Sequence, residues 1–154
     1  MKKIFLIITI CCSTFVVAQQ PTDNQRKEQL ETEKINFFNQ KLGLTLEQNP
    51  KFWVLYNDFK KKEGELRKKD MLARKKGAAF TQDAEYAALV KELYALEKER
   101  FELKTEFYKE IEKLLSPKQM FLFFDAEKQY KGLLIKKINN INNSKDAKKQ
   151  PQRK

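Results

Sequence analysis

The sequence predicts an all-α protein, and three observations predict it. Only four glycines and four prolines occur in 154 residues, and most of them fall where helices would start or stop. Apolar residues recur at steps of three and four over long stretches, the period of one helix face. A pentad of the form leucine, hydroxyl residue, two residues, glutamine occurs twice, at Leu44–Gln48 and Leu115–Gln119. In each copy Thr45 or Ser116 can cap a helix by accepting a backbone N–H, while Gln48 or Gln119 three residues on reaches back to the cap's own N–H. The expected architecture is four helices, with a long antiparallel helical hairpin among them.

The first helix is expected to start near Thr22 or Asp23 and to run to Leu42, with Leu30, Ile35, Phe38 and Leu42 on its apolar face and Gly43 as the C-terminal cap. The first pentad opens the second helix, whose inner side carries Phe52, Leu55, Tyr56, Phe59 and Leu66 and which Gly77 stops. Pro50 leaves its start open. If Thr45 is the cap, Pro50 falls at the fifth helical position and presses on the Leu46 carbonyl; if Asn49 is the cap, Pro50 takes the favoured first position.

Thr81 is the expected cap of the third helix, Gln82 to Leu115, about 50 Å long. Its row of Tyr86, Leu89, Leu93, Leu96, Arg100, Leu103, Phe107, Ile111 and Leu114, flanked by Val90, Tyr94, Phe101 and Tyr108, is the strongest coiled-coil-like signal in the chain. The second pentad starts a fourth helix, with Pro117 in first position and Met120, Phe123, Phe124, Tyr130, Leu134, Ile138 and Ile141 following. Trp53 and Tyr56 are expected to be buried against the long third helix. From Asn139 the composition turns to Asn, Lys and Gln, which predicts a disordered basic tail over 139–154.

Residues 1–18 read as a signal peptide: Met1-Lys2-Lys3, an apolar run from Ile4 to Ile10, and Ala18 as the small residue before cleavage. The apolar run is shorter than the ~20 residues of a spanning helix, and neither Ile10 nor Cys11 is the small residue that lipid attachment would need before a cysteine. Cleavage after Ala18 would remove both cysteines, so the helical domain at 19–138 would hold no disulfide and rely on packing. The whole chain carries a net charge of +11. Residues 60–76 hold nine Lys or Arg against Glu63, Glu65 and Asp70, and residues 136–154 hold seven against Asp146 alone. A basic exported chain would meet acidic or unfolded envelope proteins and anionic envelope surfaces rather than nucleic acid.

Chemistry-bearing residues are sparse. There is no histidine, and after cleavage no cysteine, which argues against a soft-metal site, and Ser116 and Ser144 have no base beside them in sequence. Acidic residues from Glu97 to Glu112 alternate with Lys98, Arg100, Lys104 and Lys109, as on a solvated helix face. No glycine-rich phosphate loop is present. The expectation is a protein that is not an enzyme and has no cofactor and no bound metal.

Two capping pentads behind a basic, apolar leader resemble the LTxxQ-motif, Spy/CpxP-like family of periplasmic helical proteins. Within it, Lys41-Leu42-Gly43-Leu44-Thr45 running into Phe52-Trp53-Val54-Leu55-Tyr56-Asn57, then Leu96 to Arg100, then Leu115 to Gln119 leading to Asp125-Ala126-Glu127, are similar to the small Bacteroidetes envelope proteins labelled "sensor of ECF-type sigma factor". The likeness spans roughly residues 30–138. It implies a Spy-like cradle, a thin antiparallel homodimer whose basic, partly apolar concave face holds unfolded clients loosely without ATP.

On this sequence the client surface would be the basic residues Lys60, Lys61, Lys62, Arg67, Lys68 and Lys69, continued by Arg74, Lys75 and Lys76, with the apolar residues Met71, Leu72 and Phe80 beside them. Metal sensing, described for some relatives, does not transfer to a chain without His. The alternative implied by the family is an accessory sensor acting on a membrane-bound sensor or an ECF-type sigma factor and its anti-sigma partner. A third is a non-catalytic scaffold in the envelope whose tail touches anionic lipid or polysaccharide.

Overall fold

The computed structural model describes residues 22–149, and the expected signal peptide lies outside them. Among the described residues there are four helices and no strand: α1 (Asp23–Leu42), α2 (Gln48–Gly77), α3 (Asp83–Glu112) and α4 (Pro117–Lys149).

Each helix start is built by reciprocal or near-reciprocal capping. At α1 the Gln25 N–H donates to Thr22 Oγ1 at 3.3 Å, and the Thr22 N–H donates to Gln25 Oε1 at 2.8 Å. This third Thr-x-x-Gln box lacks the leading leucine of the pentads. At α2 the same pair of bonds joins Thr45 and Gln48, both at 3.1 Å, and the Asn49 N–H donates to the Thr45 carbonyl at 3.0 Å. Thr45 is therefore the cap. Pro50, lacking an N–H, cannot bond the Leu46 carbonyl, so the regular ladder begins only at Gln48.

At α3 the Glu85 carboxylate accepts from the backbone of both Thr81 (3.2 Å) and Gln82 (3.1 Å). Gln82, in an extended conformation, is the cap instead of the expected Thr81, because Glu85 stands three residues after it and its carboxylate returns to the Gln82 N–H as in a capping box. At α4 Ser116 and Gln119 form the box at 2.9 and 3.3 Å.

The helix ends differ more from expectation. Gly43 closes α1 with φ +59°, the left-handed conformation in which a side chain would be strained. Gly77 also ends α2, but with ordinary φ; it is buried because the Leu89 side chain of α3 lies directly on its backbone. α3 stops at Glu112, three residues short of Leu115, as Leu114 and Leu115 both donate to the Ile111 carbonyl in a tightening last turn. α4 continues to Lys149, so residues 139–149 are helical where a disordered tail was expected. No Gly or Pro interrupts the stretch between Gly132 and Pro151. Residues 150–154 lie outside the description.

α2 and α3 pack antiparallel, as do α1 and α4. The four meet in one aromatic cluster near the two pentads: Phe38 and Leu42 from α1, Phe52, Trp53, Tyr56 and Phe59 from α2, Phe107 and Ile111 from α3, and Met120, Phe123 and Ala126 from α4, with Leu115 from the turn. Phe38, Phe52, Phe123 and Ile111 are fully enclosed. Phe59 and Phe107 stack with centroids 4.3 Å apart. Tyr56 meets the third helix through Phe107, as expected. Trp53 does not. Its ring lies against Phe38 and its Nε1–H donates to Asn39 Oδ1 at 3.0 Å, so it is buried against α1. Farther along α2 and α3 a second, smaller cluster joins Leu66 and Ala73 to Leu96.

The two glutamines of the pentads meet at the junction. Gln119 Nε2 donates to Gln48 Oε1 at 3.0 Å, and Gln48 Nε2 donates to Gln119 Oε1 at 3.2 Å. Each amide also caps the helix that precedes the other pentad. Gln48 donates to the Leu114 carbonyl at 2.8 Å, and Gln119 donates to the carbonyls of Leu42 and Gly43 at 3.3 and 3.4 Å. Since a carboxylate has no donor, glutamate could keep the capping box but not these cross-links. Gln48→Glu is expected to cost about 2 kcal/mol at pH 7, measured by urea unfolding, with part of the loss recovered below about pH 4, where the protonated acid regains a donor. Unchanged stability at pH 7 would show that the cross-links contribute nothing.

Candidate functional site

The basic run on α2 does not form one continuous surface. Lys61, Lys68 and Lys75 recur every seven residues on the outward side of the helix, opposite the buried Leu66 and Ala73, and enter no ion pair among the described residues. Lys62 and Lys69 point to one flank, where Lys62 pairs with Asp58 at 2.8 Å and Lys69 with Glu99 of α3 at 3.6 Å. A groove on that flank is lined by Glu65, Glu99, Glu102 and Glu106 as well, so its charge is mostly negative.

Lys60, Arg67 and Arg74 occupy the other flank. Lys60 pairs with Glu63 at 2.9 Å and reaches Glu127 of α4 at 3.8 Å, with its ammonium over the Phe59 ring at 5.4 Å. Arg67 lies 3.7 Å from Glu63, and Arg74 donates to Asp70 at 2.9 Å. The hydrogen bond from Arg74, followed by the charges of Arg74 and Arg100, holds the Asp70 carboxyl below its ordinary range. Lys76 is exposed near the tip, Met71 and Leu72 are exposed, and Phe80 is half-buried against Tyr86. The residues free to meet an acidic partner are thus the outward lysines, and the flanking ones are largely neutralised at home.

The apolar surface lies elsewhere, on residues that the periodicity placed within or beside the core row of α3. Leu96, Phe107 and Ile111 are buried, and Leu89, Leu93 and Leu103 are half-buried. Tyr86, Val90, Tyr94 and Phe101 are exposed, Tyr94 by 72% and Phe101 by 71%. The signal was present in the sequence. Each exposed aromatic of the pairs Leu93-Tyr94 and Arg100-Phe101 directly follows a position of the seam, a 100° turn away from it. Tyr108 continues this row, with the Lys104 ammonium 5.5 Å over its ring, and touches Phe124 of α4 edge-on at 5.0 Å. A row of aromatic residues therefore runs along α3, exposed at Tyr94 and Phe101, and meets α4 at Phe124; Phe121 of α4 is 71% exposed.

Within the core, the Tyr56 hydroxyl donates to Glu127 Oε1 at 3.5 Å. Burial, then the Glu127 charge, pushes its phenol far above the ordinary value. A folded-state pKa raised above the unfolded one gives stability that is complete below about pH 10 and is lost as pH climbs past it. At pH 11 the parent should have lost about 1.4 kcal/mol more than Tyr56→Phe does between pH 9 and 11, read from urea midpoints at the two pH values. Parallel losses in the two proteins would contradict the assignment. No family model matches this chain, and neither a curated protein nor a solved structure matches it.

Proposed function

We propose that this chain is an envelope protein of the Spy/CpxP kind that holds unfolded polypeptides without ATP, acting in the periplasm as a cradle-shaped homodimer. What carries the reading is the exposure of Tyr94 and Phe101 on a helical pair too thin to cover them. Large apolar side chains left in solvent in a row on a folded protein mark a place where other chains bind. The outward lysines Lys61, Lys68 and Lys75 of α2 supply attraction at range, so a client is drawn in by charge and then held by weak contacts with the rings of α3. Aromatic rings contribute large contact area at small entropic cost, which suits varied clients.

Support also comes from the pairing of the two pentads. The residues that carry the family resemblance, Thr45, Gln48, Ser116 and Gln119, are those that lock the helix junction together. They serve the scaffold, and the binding surface lies on the faces that the scaffold leaves open.

The purified chain in several-fold excess is expected to suppress light scattering from a chemically unfolded acidic client. Tyr94→Ser combined with Phe101→Ser should raise the amount needed at least about fivefold, from lost apolar contact, while Lys61→Glu, Lys68→Glu and Lys75→Glu together should slow capture. Capture by the parent should also slow between about 0.05 and 0.5 M salt, as screening shortens the reach of the lysines. Absence of suppression by the parent at low salt rejects the holdase reading.

A further inference from the structure

We propose that the outward face of α4 docks on the surface of an anionic lipid bilayer, an interaction that goes beyond the holdase reading and does not depend on it. Phe121, Phe124, Lys128, Lys131, Ile135 and Ile138 recur at alternating steps of three and four, which places them on one stripe about 26 Å long. The stripe is turned away from the core. The inward side of α4 is marked by Phe123 and Ala126, both fully buried, and by Tyr130, whose hydroxyl donates to the Leu30 carbonyl of α1 at 3.1 Å.

The outward side is open, apart from the edge of Phe124 that meets Tyr108 of α3. Phe121, Phe124, Ile135 and Ile138 are exposed by 71, 46, 50 and 56%. Lys128 and Lys131, between them, are exposed and form no ion pair among the described residues. From Lys128 to Lys149 the helix carries seven lysines and a single acid, Asp146. No helix among the described residues is long and apolar enough to cross a membrane.

A helix with large apolar side chains and lysines on one open face, and no capacity to span, has the makeup of an element that lies in the headgroup region. There the rings and aliphatic chains enter the acyl boundary, and the lysine stems lie along it while their ammonium groups reach the phosphates. A second copy of the chain fits this face poorly. A two-fold axis through the middle of the stripe would set Lys128 of each copy against Lys131 of the other, and like charges meeting in a desolvated interface repel strongly. The apolar groups are also spread in two pairs at the ends of the stripe rather than gathered into one central anchor, which suits a fluid surface better than a fixed protein pocket.

The test uses the full chain carrying Phe121→Trp, because the native Trp53 is buried and the introduced indole reports on this face. Vesicles of phosphatidylglycerol and phosphatidylcholine with bromine in the acyl chains should quench the introduced indole. Pure brominated phosphatidylcholine should bind at least about tenfold more weakly, given the contribution of each lysine near an anionic surface. Lys128→Glu with Lys131→Glu should abolish the difference between the two lipids, and Ile135→Ser with Ile138→Ser should weaken quenching about tenfold. The proposal is overturned if the indole stays unquenched by the anionic vesicles at low salt, if both lipids quench it equally, or if the charge reversal leaves quenching unchanged. Shielding of the indole by an unfolded acidic polypeptide, with no quenching by lipid, would also overturn it and assign the face to protein clients.

Discussion

The structure depends on a pair of glutamine amides that bond to each other across the junction of four helices. Each has two tasks in its own segment and two in the other. Gln48 accepts from Thr45 and caps α2, while its amide hydrogens go to Gln119 and to the Leu114 carbonyl. Gln119 does the same for Ser116 and α4 and reaches the end of α1. The arrangement has the logic of a pseudo-two-fold axis. The segment from α1 to α2 corresponds to the segment from α3 to α4, and each pentad closes the helix that precedes its partner. Two helix starts and two helix ends, which would otherwise leave backbone groups unpaired close to the core, satisfy one another.

Magnitudes divide the labour between this junction and the aromatic cluster around it. Net contributions of about 0.5 to 1.5 kcal/mol per hydrogen bond make the amide network modest in total. Full burial of a side chain such as Phe38, Phe52 or Phe123 contributes about 1.5 to 3 kcal/mol each, so the rings supply most of the stability. The amides specify where the helices start and at what register they meet. Exposed ion pairs such as Lys62 with Asp58 are worth about 0 to 1 kcal/mol and decide little about the fold. They do decide which cations remain free at the surface.

Much of the fold was legible because its signals are local. Thr22, Gly43 and Ser116 act through bonds to residues three or four away, so their roles can be derived from spacing alone. The choice between Thr45 and Asn49 could not, since Pro50 is compatible with either start. Thr81 failed as a cap because the Glu85 carboxylate reaches back three residues to the Gln82 N–H, the capping-box spacing, which sets Gln82 as the cap. Trp53 was expected on α3 but lies on α1, because its indole N–H finds Asn39 there. The fourth helix outran its expected end because composition signals the absence of a core, and a solvated helix needs none when no breaker intervenes.

The candidate surfaces were less legible. A run of basic residues in sequence winds around a helix, so Lys60, Lys61 and Lys62 face three directions, and only neighbours on α3 and α4 determine which are neutralised. An apolar row on α3 wider than the seam it meets reads as core, yet α2 covers only one side of it. By itself the sequence determined the helical class, the approximate helix starts and the faces available for burial, because these follow from spacing along one chain. The tertiary structure decided that Gln48 and Gln119 meet, that Trp53 turns to α1, and that Tyr94, Phe101 and Phe121 stay in solvent. Those outcomes depend on which helix packs against which, and pairing between segments some seventy residues apart leaves no mark in the spacing of either.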